Sequence, residues 1–405
     1  MLTVRNPGEV KLPGGRSVEF ANLDLAATAP CLDVVADTVA ELLPWYGSVH
    51  RGAGALSERS TREYELARES AADFLGCGVD DSVVFTRNTT DALNLLAHVL
   101  PPDTTVVTFD AEHHANLLPW RSPVRIPAPR DPAAAVAALD RELAGRRNVL
   151  VAVTAASNVT GEVWPIAELA EVAHRHGARI SVDAAQLAPH APVDMTELGA
   201  DYVVMSGHKL YAPFGAGVLA GRADWLDAAP PYLSGGGATR SVSESFDVAW
   251  HTGPARHEAG TPNLLGAVAL AAACRALTGA DRGGEHALVA RFRAAVAELP
   301  HVEELRLFGP DAERVGIVSF AVLGADPDAL GTVLGREHAI GVRVGLFCAH
   351  PLTRRLLAEA TARLDPDAPP PPAALRASFG IGTRVEHVDR LISYLRDPSG
   401  YPRAT

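Results

Sequence analysis

The chain has 405 residues, 47% of them apolar and 21% charged, with a formal net charge of −12. That balance describes a folded globular protein with a large core in two domains or one large domain with an appendage, and it excludes a disordered chain. The acidic charge argues against a nucleic-acid or anionic-membrane surface, which needs the opposite sign, and suits a cytoplasmic enzyme.

Residues 61–76 carry apolar side chains at helical spacing and end at Gly76. In residues 82–100, SVVFTRNTTDALNLLAHVL reads as a short strand, a polar turn and a helix. TTVVTFD, residues 104–110, is rich in β-formers and runs directly into EHHAN. DPAAAVAALDRELAGRR reads as a helix, and NVLVAVTAASN as an apolar strand with a polar end. PIAELAEVAHRHGA opens on proline and closes on glycine, as helices do. ARISVDAAQ and ADYVVMSGHK are two further apolar strands, each ending in polar residues. Apolar strands alternating with helices predict an α/β architecture with a mostly parallel sheet covered on both faces. Ligands of such sheets lie beyond the carboxyl ends of the strands. The clusters TRNTT, DAEHHAN, ASN, DAAQ and SGHK all fall at those ends.

After residue 277 the texture changes. LTGADRGGEHA reads as a hinge, ALVARFRAAVAEL as a new helix, and VGIVSFAVLG and IGVRVGLFCAHP as strands or turns of a smaller α+β domain. The proline run in DPDAPPPPAALRASFG reads as a surface loop before the strand LRASF. There is no internal repeat. No apolar h-region opens the chain and no apolar run reaches membrane-spanning length. The cysteines Cys31, Cys77, Cys274 and Cys348 are scattered without a CxxC pair, which argues against a disulfide framework or a zinc site and for a reducing compartment.

Of 36 basic residues, 34 are arginine; the two lysines are Lys11 and Lys209. Lys209 follows the strand YVVMS, where a lysine in an α/β cleft can lose its proton and attack a carbonyl to form a Schiff base. Asp183 ends the preceding strand, with Gln186 three residues on. A carboxylate there can keep a pyridine nitrogen protonated, which turns a pyridoxal ring into an electron sink. In isolation Asp183 reads equally well as a strand-end cap. Thr89 and Thr90 open a helix and offer hydroxyls beside free backbone N–H groups, a seat for phosphate or an ordinary cap. His113 and His114 are adjacent, not four residues apart, and no further ligands complete a metal set, so His113 reads as stacked on an aromatic ring. Arg376 can clamp a carboxylate, and Cys348 is either a buried apolar residue or a nucleophile on a loop.

Together the stretches NLDLAATAP, SVHRGAGALSERST, VFTRNTTDALNL, EHHANLLPW, SNVTGEVWPI, VDAAQLAPH, MSGHKLYAPFGAGVL, EAGTPN, RVGLFCAHPL and RASFGIGT resemble the class V aminotransferase group of fold-type I enzymes, which use pyridoxal 5′-phosphate. Within it they are most similar to the group II cysteine desulfurases, also called selenocysteine lyases. The resemblance implies a large domain over residues 21–284 and a small one formed by 1–20 with 285–405. It makes Lys209 the Schiff-base lysine and proton carrier, pairs Asp183 with the pyridine nitrogen and Gln186 with the ring hydroxyl, and stacks His113 on the ring, where it also acts in proton transfer. Thr90, Ser206 and His208 hold the phosphate, with Thr89 beside them and Thr261 reaching across from the other subunit of a homodimer. Asn158 and Arg376 bind the substrate carboxylate, and His50, Arg51 and Arg343 match further active-site positions. Cys348 takes sulfur from L-cysteine as a persulfide, leaving alanine, and passes it to an acceptor protein or thiol.

The chain departs from that family's pattern in places. Leu346 and Phe347 stand where two histidines usually precede the cysteine, Leu25 replaces a usual Asn or Ser, and residues 238–262 are less standard. These changes bear on substrate more than on cofactor, and they leave open another reaction on the same scaffold: a C–S β-lyase, an aminotransferase or an epimerase. A retained binding or regulatory fold is a third reading, opposed by the presence of Lys209, Asp183, Gln186 and His113 together. A nucleotide-binding enzyme is weaker still, because GAGVLAG lacks the dinucleotide spacing.

Overall fold

The computed structural model describes residues 2–281 and 284–402. Its centre is a seven-stranded sheet of β1 (Asp81–Thr86), β2 (Thr105–Phe109), β3 (Val124–Ile126), β4 (Val149–Thr154), β5 (Arg179–Asp183), β6 (Tyr202–Ser206) and β7 (Gly217–Arg222), in the order β1-β7-β6-β5-β4-β2-β3. Only β7 runs against its neighbours; β6, β5, β4, β2 and β3 pair in parallel. Every residue of β4 (VLVAVT) and of β6 (YVVMS) is buried, as strands covered on both faces must be. The expected α/β sheet is therefore present, with one reversed strand that the runs of apolar residues do not announce.

Helices cover both faces. They include α1 (Asp33–Leu42), α2 (Ala55–Leu75), α3 (Thr89–Val99), α4 (Pro132–Leu143), α5 (Ile166–Arg175) and α6 (Leu264–Leu277). Helix α2 begins earlier than the apolar spacing from residue 61 suggests. Its first turns are held from outside: the Gly52 N–H donates to Ser57 Oγ at 3.0 Å and the Gly47 N–H to Ser60 Oγ at 2.9 Å. Its end at Gly76 is as expected, with Gly76 at φ 61°. The alanine-rich α6 is apolar nearly all round, so it is buried, and Leu264, Ala267, Val268 and Ala271 pack with Leu42, Tyr64 and Ala67 of α1 and α2.

A second sheet has the order β8-β9-β11-β10, from β8 (Val302–Glu304), β9 (Ile317–Val322), β10 (Arg343–Gly345) and β11 (Ala374–Ser378), all antiparallel. Helix α7 (Gly284–Ala297) places Phe292 against Phe320 and Phe379 of this layer, and α8 (His350–Leu364) follows the Cys348 loop. The proline run precedes β11 as expected. The hinge expected over residues 277–287 includes residues 282 and 283, which lie outside the described residues. Two buried groups join the sheets: the Glu162 carboxylate accepts from the Leu307 and Phe308 N–H groups at 2.9 Å, and Arg376 Nη1 donates to the Asn158 carbonyl at 2.9 Å. The second sheet thereby presents Arg376 and the Cys348 loop to the carboxyl ends of the first.

Candidate active site

Strands β4, β5 and β6 end at Thr154, Asp183 and Ser206, and the chain turns from Ser206 directly into His208 and Lys209. These ends open on one cavity of about 640 Å³. Its wall brings together Lys209, Asp183, Gln186, Ser206 and His208 from the strand ends, Thr89 and Thr90 from α3, and His113 from beyond β2. Asn158, from the turn after β4, and Arg343, Cys348 and Arg376, from the second sheet and the loop beside it, complete the wall. His50, Arg51 and Thr261 do not join them; they line a second cavity of about 480 Å³.

Helix α3 shows why the threonines are available. Asn88, not a threonine, is the N-cap: its Oδ1 accepts from the Asp91 N–H at 3.0 Å. Thr89 Oγ1 is buried without a partner, as is Ser206 Oγ. Gly217 lets Asn88 sit this close, because a Cβ there would lie 2.6 Å from Asn88 Cα.

Burial pushes the Lys209 ammonium down to about 8; Arg376 acts in the same direction and Asp183 opposes it. Burial raises Asp183, while the Ala185 N–H, which donates to Oδ1 at 2.9 Å, and Lys209 hold it down. His113 is lowered to about 3 by burial and by the cations Lys209 and Arg376, so its ring is neutral. Because His113 Nδ1 accepts from the Ala115 N–H at 3.1 Å, the ring proton is on Nε2. Gln186 Nε2 donates to the Ala26 carbonyl at 2.9 Å, leaving Oε1 buried without a partner.

Residues that the sequence motifs do not reveal support this set. Asp24 faces Arg376 at 3.4 Å and Arg343 at 3.2 Å. Burial lowers Arg376 to about 10, with Asp24 opposing, so it remains a cation at neutral pH. Glu112 is buried beneath the cavity and holds the Thr154 N–H at 3.1 Å and Asn116 Nδ2 at 2.8 Å. His350, two residues past Cys348, also lines the cavity, its ring 4.5 Å from that of His114. Asp24 and Glu112 lie inside quoted stretches, but no spacing rule marks a buried carboxylate as a support.

These features fit pyridoxal 5′-phosphate. A lysine whose proton is loosened by burial, a buried carboxylate, a neutral imidazole and three buried oxygens without partners (Thr89 Oγ1, Gln186 Oε1, Ser206 Oγ) line one cavity, with the N-terminus of α3 in its wall, as an aldehyde, a ring nitrogen, a ring hydroxyl and a phosphate require.

The family model for class-V aminotransferases matches residues 21–391. The chain is 38% identical over 357 residues to a probable cysteine desulfurase of Mycolicibacterium paratuberculosis, covering 84% of this chain and 51% of that protein. It thus spans about half the length of that relative. With a cysteine desulfurase of Klebsiella pneumoniae it shares 37% identity over 394 residues, covering 93% of each chain. The apo structure of a cysteine desulfurase from Thermococcus onnurineus superposes with a TM-score of 0.81 at 32% identity, covering 93% of this chain and 94% of that one. Sheet order, cavity chemistry and these likenesses agree, and the chain belongs to the class-V aminotransferase family of pyridoxal-phosphate enzymes.

Proposed function

We propose that the protein is a cysteine desulfurase that converts L-cysteine to L-alanine and carries the sulfur as a persulfide on Cys348. The observation that carries this reading is that Lys209 and Cys348 face one cavity with Asn158 and Arg376 in its wall. When bound, pyridoxal phosphate supplies an electron sink conjugated to the substrate's α-carbon. Asp183 would hold its ring nitrogen, Gln186 its hydroxyl, His113 its face, and Thr89, Thr90, Ser206 and His208 its phosphate. Arg376 and Asn158 would bind the substrate carboxylate, with Arg343 beside them. Lys209 Nζ, lowered by burial to about 8 and so able to exchange a proton near physiological pH, moves the proton at the substrate's α-carbon. Cys348 Sγ then forms a bond to the substrate sulfur as the carbon–sulfur bond breaks, and the β-carbon takes a proton to give alanine. A thiol acceptor, protein or small molecule, removes the outer sulfur.

His50, Arg51 and Thr261 are proposed to act across a homodimer, because their cavity is separate from that of Lys209 within one chain. The domain division at residue 284 is proposed on the separate apolar cluster around Phe292, Phe320 and Phe379. A cytoplasmic setting is proposed from the acidic net charge and the thiols of Cys31, Cys77 and Cys348. Among the described residues no helix is long and apolar enough to cross a membrane.

Leu346 and Phe347 favour a second reading, a C–S β-lyase, aminotransferase or epimerase of the same family, since they put apolar groups beside the thiol in place of imidazoles. Product analysis with L-cysteine and a reductant separates the two. Alanine and sulfide in equal amounts, lost in Cys348→Ala, support desulfuration. Pyruvate and ammonia, or indifference to the substitution, support the lyase.

A further inference from the structure

Asn158 and Arg376, the proposed ligands of the substrate carboxylate, are both engaged by the loop that carries Cys348. Asn158 Nδ2 donates to the Phe347 carbonyl at 2.7 Å. The Phe347 ring lies against the Arg376 guanidinium, its centroid 4.9 Å from Cζ. A third anchor is the His114 N–H, which donates to the Cys348 carbonyl at 2.7 Å. Arg376 uses Nη1 on the Asn158 carbonyl and Nη2 on Asp24, whereas its Nε–H is buried without a partner. A carboxylate arriving at this arginine finds the free Nε–H, the ring of Phe347 against the guanidinium, and an Asn158 amide held to the Phe347 carbonyl through one of its N–H donors.

The loop does not hold this shape by its own preference. Phe347 and Cys348 have φ of 51° and 52°, and neither is a glycine. Two successive L-residues in the left-handed region are disfavoured and persist only where surrounding contacts impose it. Two of the three anchors are groups that a substrate needs. Phe347 is 9% exposed, whereas Cys348 is exposed, so the ring is the seated part of the loop and the thiol the presented part.

We infer that Phe347 is a positioning residue that couples carboxylate occupancy of Arg376 and Asn158 to the placement of the Cys348 thiol. The inference rests on the carboxylate roles proposed above for those two residues. Loop and carboxylate compete for the same side chains, so a bound carboxylate shifts the population toward a released loop; with no carboxylate present the ring returns to Arg376. The ligand class that triggers release is any small carboxylate able to reach Arg376, with or without an amine or sulfur.

The test is the rate of Cys348 alkylation by iodoacetamide in the holoenzyme, followed by peptide mass spectrometry with and without propionate. Ligand-observed NMR measures propionate binding in the same samples. Propionate is expected to accelerate Cys348 alkylation on the order of tenfold, the scale of one cation–π contact. Phe347→Ala is expected to react at the faster rate without propionate and to respond little to it, and Phe347→Tyr to keep the response. Propionate binding with no change in the rate of the unaltered enzyme overturns the coupling and leaves the carboxylate seat standing. Absence of binding, or binding unchanged in Arg376→Lys, overturns the seat and the inference with it. Phe347→Ala that reacts as slowly and responds as fully as the unaltered enzyme removes Phe347 from the account.

Discussion

Glu112→Gln tests the electrostatics under the site most directly. Glu112 is fully buried, and burial raises its carboxyl to about 8; Asp183 pushes the same way, and the Asn116 and Thr154 donors pull down. The proton needs an acceptor, and Asn116 Oδ1 is buried without a partner, so turning that amide over supplies one. Glutamine reproduces the protonated carboxyl, with Oε1 accepting from the Thr154 N–H and Nε2 donating to Asn116 Oδ1. In the unfolded chain the carboxyl titrates at its ordinary value of 4.5. Between 4.5 and about 8 the folded state therefore holds a proton that the unfolded state has released, and stability from this group is lost as pH rises through that window. The limiting slope is about 1.4 kcal/mol per pH unit, which gives about 2–3 kcal/mol between roughly pH 5.5 and 7.5. The glutamine variant lacks this titration and gains that amount relative to the unaltered protein over the same interval. Urea unfolding of both cofactor-free proteins at the two pH values and at matched concentration measures it. A stability difference that stays flat between those pH values would refute a buried, protonated Glu112.

Two further outcomes follow from the same geometry. Because Lys209 is lowered to about 8, its neutral fraction grows tenfold per pH unit below that value. Covalent capture of pyridoxal phosphate by the cofactor-free protein, followed by absorbance, should accelerate up to about pH 8 and level off above it, with none in Lys209→Arg. A rate still climbing tenfold between about pH 9 and 10 would mark an ordinary lysine. Gly217→Ala sets a methyl 2.6 Å from Asn88 Cα, a backbone atom that cannot swing aside. The strain, about 1–3 kcal/mol, should fall on the start of α3 and loosen cofactor retention about tenfold or more, read as cofactor lost on dialysis. Retention equal to that of the unaltered protein would separate this glycine from the phosphate seat.

Much of the site is legible in the sequence because the sheet is parallel. Each apolar run ends at the same edge, so the polar clusters that close the runs must meet, and Lys209, Asp183, Ser206 and Thr89 do line one cavity. The threonine hydroxyls are legible as a pair but not in their state: Asn88 takes the capping role, which is what leaves Thr89 Oγ1 without a partner. Asp24 and Arg376 are 352 residues apart and face each other only because the second sheet folds back over the first. Nothing in the loop sequence RVGLFCAHP says that the Phe347 ring seats on Arg376 or that its backbone is left-handed. His50, Arg51 and Thr261 show the limit from the other side, since their motifs match but one chain holds them around a different cavity.

The sequence by itself therefore determined the alternation of strands and helices, the edge at which the chemistry collects, and the side chains able to form a Schiff base, protonate a ring nitrogen and hold a phosphate. Those depend on periodicity and residue type, which are local. Tertiary structure alone decided the reversed β7, the burial that lowers Lys209 and raises Glu112, and the contacts of the Cys348 loop with Asn158 and Arg376. Desolvation and long-range pairing depend on what the rest of the chain brings alongside a residue, and no local pattern records that.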